Sequence, residues 1–127
     1  MKIDFNDVVP IYIQIADAIE DDILSGRLEE GGNCYSQIQI AKEVNINPAT
    51  AAKGIRLLVE RGVLKKVRGQ AMTISENAAA MIKERKLEQM LSEMLENIIR
   101  ESKKLGISEE ELIERIRQMY QDVTVHG

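Results

Sequence analysis

The 127 residues suffice for one small domain with an appendage and are too few for two full-sized cores. Apolar residues make up 44% of the chain and aromatic residues only 3%, which argues against a disordered chain and predicts a helical core of aliphatic side chains. The net charge of −4 would repel a polyanion if it were spread evenly, so any contact with nucleic acid requires local segregation of charge.

Three helices are predicted in the first sixty residues. The first starts at Pro10, a residue preferred at the first helical position, and a turn over residues 29–33 follows it. Ser36 is the predicted N-cap of a short second helix, and Asn47 followed by Pro48 is the predicted N-cap and first position of a third. The apolar residues at helical spacing, which form the predicted core, are Ile11, Ile15, Ala18, Ile19, Ile23, Ile40, Ala41, Val44, Ala51, Ile55, Leu58 and Val59.

A β-hairpin is predicted after the third helix. Residues 63–67 are expected to form one strand, residues 68–70 a tight turn and residues 71–74 the returning strand. Three helices with a short connection between the second and third, followed by a hairpin, are the arrangement of a winged helix-turn-helix. The predicted fold class is therefore mainly α (α+β), with a winged helix-turn-helix DNA-binding domain over residues 1–75.

The basic residues are concentrated in the third helix and the hairpin. Between residues 45 and 75 there are six basic side chains against one acid, Glu60, although the whole chain is acidic. This basic segment contains Lys53, Arg56, Arg61, Lys65, Lys66 and Arg68. A solvated surface position is the commoner explanation for any one of these charges, but the whole set in this pattern is typical of a surface that binds nucleic-acid phosphates.

Residues 76–127 are predicted to form a helical dimerisation module. A long helix over residues 77–104 carries a wide apolar face, and Ser108 with Glu111 forms a capping box that begins a last helix. A winged domain of this size cannot cover such a face, whereas a second copy of the chain can. The residues expected at the dimer contact are Leu87, Met90, Leu91, Met94, Leu95, Ile98, Ile99, Leu112 and Ile116.

Methionines recur on this helical face and beyond it, at Met81, Met90, Met94 and Met119. They could instead line a site for a small-molecule effector of unknown identity, although plain packing is the commoner role of methionine and no polar cluster marks a pocket. The sequence contains no nucleophile–base pair, no clustered metal ligands and no phosphate-binding glycine loop. We therefore expect neither enzymatic activity nor a metal or other cofactor.

The cysteine content and the N-terminal residues predict a location. Cys34 is the only cysteine, which excludes an intramolecular disulfide and favours a reducing compartment. Acidic Asp4 and Asp7 stand where a secretory leader would be basic, and no apolar stretch approaches membrane-spanning length. We expect a cytoplasmic protein that does not bind membranes. Cys34 itself is expected to pack as an apolar residue, with redox sensing as the alternative.

Four segments, in order and at the right spacing, resemble the GntR family of bacterial transcription regulators. Residues 10–15 are similar to the family's opening Pro-x-Tyr-x-Gln-Ile helix, and residues 23–28 to its Ile-x-x-Gly-x-Leu helix end. Residues 47–50 with Lys53 are similar to the Asn-Pro-x-Thr recognition helix of the YtrA-like subfamily, and residues 60–64 to the Glu-x-Gly junction into the wing. The resemblance covers nearly the whole chain.

The same resemblance carries functional implications. YtrA-like members have a short two-helix appendage for dimerisation, so the resemblance implies a homodimer bound to a palindromic operator in double-stranded DNA. Family habit further implies a repressor of its own operon, often one that encodes an ABC transporter. Two departures separate this chain from the family: Ile38 replaces a helix-two arginine that typically touches DNA, and Ala71 replaces a wing glycine. The operator sequence therefore cannot be taken from relatives.

The expected DNA contacts come from the start of the second helix, the recognition helix and the wing. Thr50 and Lys53 occupy the first turns of the recognition helix, the part of such a helix that reaches base edges in the major groove. The basic residues further along are expected to bind phosphates, and the glycine at the wing tip to allow entry into the minor groove. The full set is Ser36, Gln37, Asn47, Ala49, Thr50, Lys53, Arg56, Lys65, Lys66, Arg68, Gly69 and Gln70.

Two alternatives accompany these predictions. Tyr12 is expected to be a packing residue, with a phosphate contact as its alternative role. The whole chain could instead be a winged-helix protein–protein interaction module, which would use its C-terminal helices to bind another protein and would not read DNA. A gel-shift assay on the DNA upstream of the gene separates this module from a regulator.

Overall fold

Five helices and a two-stranded sheet follow one another along residues 1–126, which the computed structural model describes, with side chains to residue 123. The elements are α1 (Ile11–Leu24), α2 (Gln37–Val44), α3 (Pro48–Glu60), β1 (Leu64–Lys65), β2 (Thr73–Ile74), α4 (Ala78–Lys104) and α5 (Glu109–His126). Their order confirms the predicted winged helix-turn-helix followed by two helices. Among the described residues, none of the helices combines the length and hydropathy that crossing a bilayer requires.

Side-chain caps begin the two helices of the helix-turn-helix, as predicted. Ser36 Oγ accepts from the Gln39 amide at 3.1 Å while Gln39 Oε1 accepts from the Ser36 amide at 2.7 Å, which completes a capping box. Asn47 Oδ1 accepts from the Ala49 amide at 2.9 Å, and Pro48 holds the first helical position. These bonds satisfy amides that a helix start leaves unpaired, so they fix where α2 and α3 begin.

The start of α1 differs by one residue from the prediction. Pro10 is the N-cap of α1, with an extended ψ of 146°, and the first helical residue is Ile11. The carbonyl of Pro10 accepts from the amides of Ile13 and Gln14, both at 3.1 Å. Proline suits this position as well, because its missing N–H would have no helical partner in either place.

The hairpin is shorter than its predicted strands. In the antiparallel pairing, Leu64 lies opposite Ile74 and Lys65 opposite Thr73, while residues 66–72 form no strand. The predicted five-residue and four-residue strands are therefore wrong in length. The residues that connect β1 and β2 form the extended wing.

An unpredicted segment pairs with the other edge of β2. The amide of Gly31 donates to the carbonyl of Ile74 at 2.8 Å, and the amide of Cys34 donates to the carbonyl of Met72 at 2.8 Å. The sequence predicted only a turn here, because glycines and polar residues dominate the segment. The long-range bonds attach the α1–α2 connection to the sheet and so fix where α2 begins.

An aliphatic core holds the three helices and the sheet together, as the composition predicted. Its largest fully buried apolar side chains are Ile15, Ile19, Ile40, Leu58, Val63, Leu64, Ile74 and Ile82. Val59 was expected on the same face but is 37% exposed, because it lies at the border of the buried stripe of α3.

The chain divides into two compact units, residues 1–85 and residues 86–127. The first two turns of α4 belong to the first unit, where Ala78 and Ile82 are fully buried. The boundary between the two compact units therefore lies within α4. The boundary at residue 75 between the DNA-binding domain and the dimerisation module stays a prediction. The rest of α4 and α5 form the second unit, in which Gly106 has a φ of 73° and the amide of Ile107 donates to the Ser102 carbonyl at 2.9 Å.

Candidate nucleic-acid interface

The first turns of α3 present a polar and cationic face to solvent. Asn47, Ala49, Lys53 and Arg56 are all exposed, and Thr50 is half-buried. The opposite face of the helix is the buried stripe of the core, so the burial of one face orients the other. Side chains of the sizes found here can enter a major groove together with the helix start.

Lys53 lies over an aromatic ring. Its Nζ is 4.1 Å from the centroid of the Tyr12 ring, within the range of a cation–π interaction. Tyr12 lies in the first turn of α1 and is half-buried. The sequence predicted Tyr12 as a packing residue, with a phosphate contact as the alternative, and no local pattern links residues 12 and 53.

Arg61 does not contribute a free charge to the basic segment. Its Nη1 lies 3.1 Å from Glu20 Oε1 and 3.7 Å from Asp17 Oδ1. Glu20 is fully buried and also accepts two hydrogen bonds from Arg85 Nη2, at 2.5 and 2.6 Å. Arg61 is therefore part of a buried ionic cluster in the first unit, formed by Glu20, Arg61 and Arg85.

The five other cations of the basic segment stay exposed. They are Lys53, Arg56, Lys65, Lys66 and Arg68. Within the described part of the chain, no salt bridge involves any of them. Their charge remains available to a ligand, because no carboxylate neutralises it.

The tip of the wing is a tight turn, as predicted. The amide of Gln70 donates to the carbonyl of Val67 at 3.0 Å, and Gly69 has a φ of 78°, a conformation that a side chain would strain. Arg68, Gly69 and Gln70 are all exposed. An exposed tip with a glycine and an arginine is suited to a narrow groove with negative potential.

A cleft of about 350 Å³ brings three elements together. The start of α2, the middle of α3 and the wing all contribute to its lining. Its polar lining residues include Ser36, Gln37, Arg56, Lys66 and Gln70, all of which the sequence singled out. The three predicted contact regions therefore share one surface of the first unit.

Ile38 is a second exposed feature of this surface. It lies on the second position of α2 and is 62% exposed, where the family resemblance led one to expect an arginine. An exposed isoleucine cannot bind a phosphate. The basic surface therefore lacks a cation at this point of α2.

A half-buried hydrogen bond holds the residues that precede α2. Tyr35 Oη donates to Asp22 Oδ2 at 2.6 Å, and this hydrogen bond, with burial, raises the pKa of Tyr35 to about 12. Burial raises the pKa of the Cys34 thiol to about 11. The thiol therefore stays protonated near neutral pH, which supports the packing role of Cys34 over redox sensing.

The second unit carries an apolar face. Along α4, the seven residues predicted at a dimer contact are between 41% and 62% exposed: Leu87, Met90, Leu91, Met94, Leu95, Ile98 and Ile99. Leu112 and Ile116 of α5 are half-buried and line an apolar cavity of about 440 Å³ with Leu95, Ile98 and Ile99. Large apolar surface of this kind marks an interaction site more often than a solvated surface.

The fold and the cationic surface define the class of protein: a winged helix-turn-helix transcription regulator. The sequence is 31% identical over 123 residues to the HTH-type transcriptional repressor YtrA of Bacillus subtilis, across 97% of this chain and 94% of that protein. It is also 31% identical to the HTH-type transcriptional regulator YhcF of the same organism, across 89% of this chain and 92% of that protein. No family model matches the sequence.

Solved structures agree with these relatives. A GntR-family transcriptional regulator from Bacteroides thetaiotaomicron is 32% identical and superposes with a TM-score of 0.66, across 88% of this chain and 97% of that chain. YtrA from Sulfolobus acidocaldarius, a GntR-family transcription factor, is 25% identical with a TM-score of 0.55, across 98% of this chain and 99% of that chain. This chain belongs to the GntR family of DNA-binding transcription regulators.

Proposed function

We propose that this protein is a homodimer that binds a palindromic operator in double-stranded DNA and represses transcription. The observation that carries the proposal is the segregation of positive charge on α3 and the wing. Five cations are exposed there, two of them, Arg56 and Lys66, line the cleft that α2, α3 and the wing share, and no carboxylate of the described residues pairs with any of the five. On a chain with a net charge of −4, such segregation favours binding of a polyanion.

Sequence reading is assigned to the start of α3. Thr50 can offer its hydroxyl or its methyl group to a base edge, and Lys53 can donate to the acceptors of guanine in the major groove. Asn47 and Ala49, which are exposed at the helix start, are assigned to an approach to the DNA backbone. Arg56, further along the same face, is assigned to a phosphate.

Phosphate binding is assigned to the remaining contacts, Ser36 and Gln37 of α2 and Lys65, Lys66 and Gln70 of the wing. Such contacts set the register of a protein on DNA without reading sequence. Arg68 and Gly69 are assigned to the minor groove, because an arginine is drawn to the potential of a narrow groove and glycine permits close approach.

The dimer is supported by the exposed apolar face of α4. A two-fold partner would cover this face and would present two recognition helices to successive major grooves, as a palindrome requires. Repression is supported by the name of the Bacillus subtilis relative, a transcriptional repressor. We further propose that the regulated operon is the protein's own, and the ABC transporter implied by family habit stays a prediction.

Two other expectations complete the proposal. A cytoplasmic location follows from action on chromosomal DNA. The small-molecule effector stays a prediction, with the methionines of α4 and α5 as its proposed contacts.

A gel-shift assay with the DNA upstream of the gene tests DNA binding. We expect a specific shift that survives competitor DNA. A protein that is folded and dimeric but binds this DNA no better than competitor would favour the protein–protein interaction module instead.

Two lysines of the same charge test the assigned roles. We expect Lys53→Ala to lower operator affinity by about 1–3 kcal/mol and to relax specificity at one position, because Lys53 contacts a base. We expect Lys65→Ala to weaken binding to all sequences alike and to reduce the slope of log affinity against log salt by about one, because Lys65 contacts a phosphate. Equal effects of both variants on every sequence would contradict the assignment.

A further inference from the structure

The side chain of Lys53 packs against the face of the Tyr12 ring. Lys53 Nζ lies 4.1 Å from the ring centroid, while the lysine itself remains exposed. A free lysine side chain samples many rotamers, and the loss of this freedom opposes binding. A contact already present in the free protein removes part of that loss.

The backbone of Tyr12 is fixed next to Lys53 by a close crossing of α1 and α3. A Cβ built on Gly54 would lie 3.0 Å from the Tyr12 carbonyl oxygen and 3.0 Å from Ile15 Cγ2. Any larger residue at this position would therefore separate the two helices. Gly54 follows Lys53 directly, so this close approach of the two helices lies next to the residue that contacts the ring.

The segment before α1, residues 1–9, is the N-terminal arm, and it is hydrogen-bonded to the first turn of α1. Gln14 Nε2 donates to the carbonyls of Asp4 and Val9, both at 2.9 Å. Gln14 Oε1 accepts from the Asp4 amide at 2.8 Å. The turn that carries Tyr12 is thus attached on one side to α3 and on the other to the arm.

An aromatic ring attracts a cation to its face but carries no net charge, so it does not neutralise the charge of the cation. Arg61, the residue that follows α3, is paired with the carboxylates of Glu20 and Asp17. Its charge is therefore not available to a ligand. Lys53 contacts an uncharged ring and keeps its full charge and its hydrogen-bond donors. Tyr12 can therefore direct the ammonium group and leave it able to bind an acceptor.

We propose that Tyr12 is a positioning residue that determines selectivity at the base pair contacted by Lys53. The inference depends on the proposed function, in which Lys53 reads a base. An acceptor on a base edge requires a donor that approaches from one direction, whereas phosphate oxygens accept from donors in many directions. Loss of the ring should therefore reduce discrimination at one base pair more than it reduces overall affinity.

The test uses a duplex that the wild-type protein selects from a random pool, together with its single-base-pair variants. Lys53→Met identifies the base pair that the lysine reads. We expect Tyr12→Leu to lower discrimination at that same base pair about three- to tenfold and to leave the other positions unchanged. Tyr12→Phe, which keeps the ring and loses the hydroxyl, should retain the discrimination of the wild type.

The double variant Tyr12→Leu with Lys53→Met is the matched control. It should discriminate no less than Lys53→Met alone, because the ring acts only through the lysine. Additive losses would overturn the inference. So would an equal, uniform loss of affinity in Tyr12→Phe and Tyr12→Leu, because that pattern indicates a phosphate contact by the hydroxyl.

A measurement on the unmodified sequence covers the case in which Tyr12→Leu fails to fold. In a spectrum of lysine side chains labelled with carbon-13, the ring should shift the Lys53 ε-methylene signal, identified by its loss in Lys53→Met. We expect the shift in the free protein and in the complex with the selected duplex. Its disappearance in the complex would overturn the inference. A wild-type protein that selects no sequence would instead contradict the proposed function itself.

Discussion

Residues 1–85 and residues 86–127 differ in what covers their apolar side chains. In the first unit, residues from Ile15 to Ile82 are buried against one another in a single core. In the second unit, Ser102 is buried, but the described apolar residues of α4 and α5 are half-buried or exposed. Among the described residues, only the first unit has a buried apolar core of its own.

The difference indicates how each unit is stabilised. Burial of apolar surface contributes about 25 cal/mol per Å², and the first unit obtains this contribution within one chain. Two helices with an uncovered face are marginal alone, so the second unit should depend on a partner. We therefore expect the stability of the first unit to be independent of protein concentration and that of the second to increase with it.

The largest expected effect comes from the ionic cluster that links α1, the residue after α3 and the start of α4 within the first unit. Glu20→Ala would remove the carboxylate shared by Arg61 and Arg85, which are mostly buried at 23% and 31% exposure, and would leave Arg61 only its longer contact with Asp17 at 3.7 Å. We expect a loss of about 3–5 kcal/mol in the free energy of unfolding, measured in urea. The matched control is Glu111→Ala in the second unit, whose exposed pair with Arg115 at 3.7 Å should matter by less than about 1 kcal/mol. Equal losses would show that the cluster does not stabilise the first unit.

A pair of leucine substitutions compares the two units directly. Leu58 is fully buried, so Leu58→Ala should lower the free energy of unfolding by about 2–5 kcal/mol at every protein concentration. Leu91 is 43% exposed, so Leu91→Ala should leave the first unit unchanged and weaken self-association, measured by sedimentation. A concentration-independent loss of similar size in both variants would contradict the proposed dimer contact.

High pH should destabilise the first unit. Burial raises the pKa of the Cys34 thiol from 9.0 to about 11, and the hydrogen bond to Asp22 raises that of Tyr35 from 10.0 to about 12. Both groups ionise earlier in the unfolded chain, so stability is full below pH 9 and falls as the pH rises to 12. The thiol should account for about 2–3 kcal/mol of the loss, since one pKa unit is worth about 1.4 kcal/mol.

Two variants isolate these titrations in urea unfolding at a series of pH values. Cys34→Ala should flatten the fall between pH 9 and 11, and Tyr35→Phe the fall between pH 10 and 12. An unchanged slope in both variants would mean that other groups cause the alkaline loss.

The smallest expected effects come from the helix caps. Ser36→Ala removes the acceptor for the Gln39 amide in the first unit, and Ser108→Ala removes the acceptor for the Glu111 amide at 3.1 Å in the second. Each should cost about 1 kcal/mol, whereas glycine at either position should cost only a few tenths of a kcal/mol relative to serine. The Ser36→Ala loss should be the same at all concentrations, while the Ser108→Ala loss should appear in the concentration-dependent transition. The reverse pattern would contradict the division of stability between the units.

The sequence by itself determined the local features of this protein. Helix starts at Ser36 and Asn47 and the tight turn before Gln70 all depend on bonds between residues a few positions apart, and all were predicted. The aliphatic periodicity likewise predicted most of the core, because a helix repeats every 3.6 residues whatever it packs against. The predicted lengths of the two strands were wrong because the number of residues that pair in a short sheet depends on the segments that lie on either side of each strand.

Only the tertiary structure decided which cations are free and which are held. Arg61 and Lys53 belong to the same basic segment, yet a buried carboxylate of α1 neutralises one and a ring of α1 supports the other. The pairing of Gly31 and Cys34 with β2 is a similar case. Each of these contacts joins residues far apart in the chain, and the crossing of α1 with α3, set by packing around Gly54, brings the helical ones together. No pattern of neighbouring residues in the sequence indicates which distant residues will meet in this way.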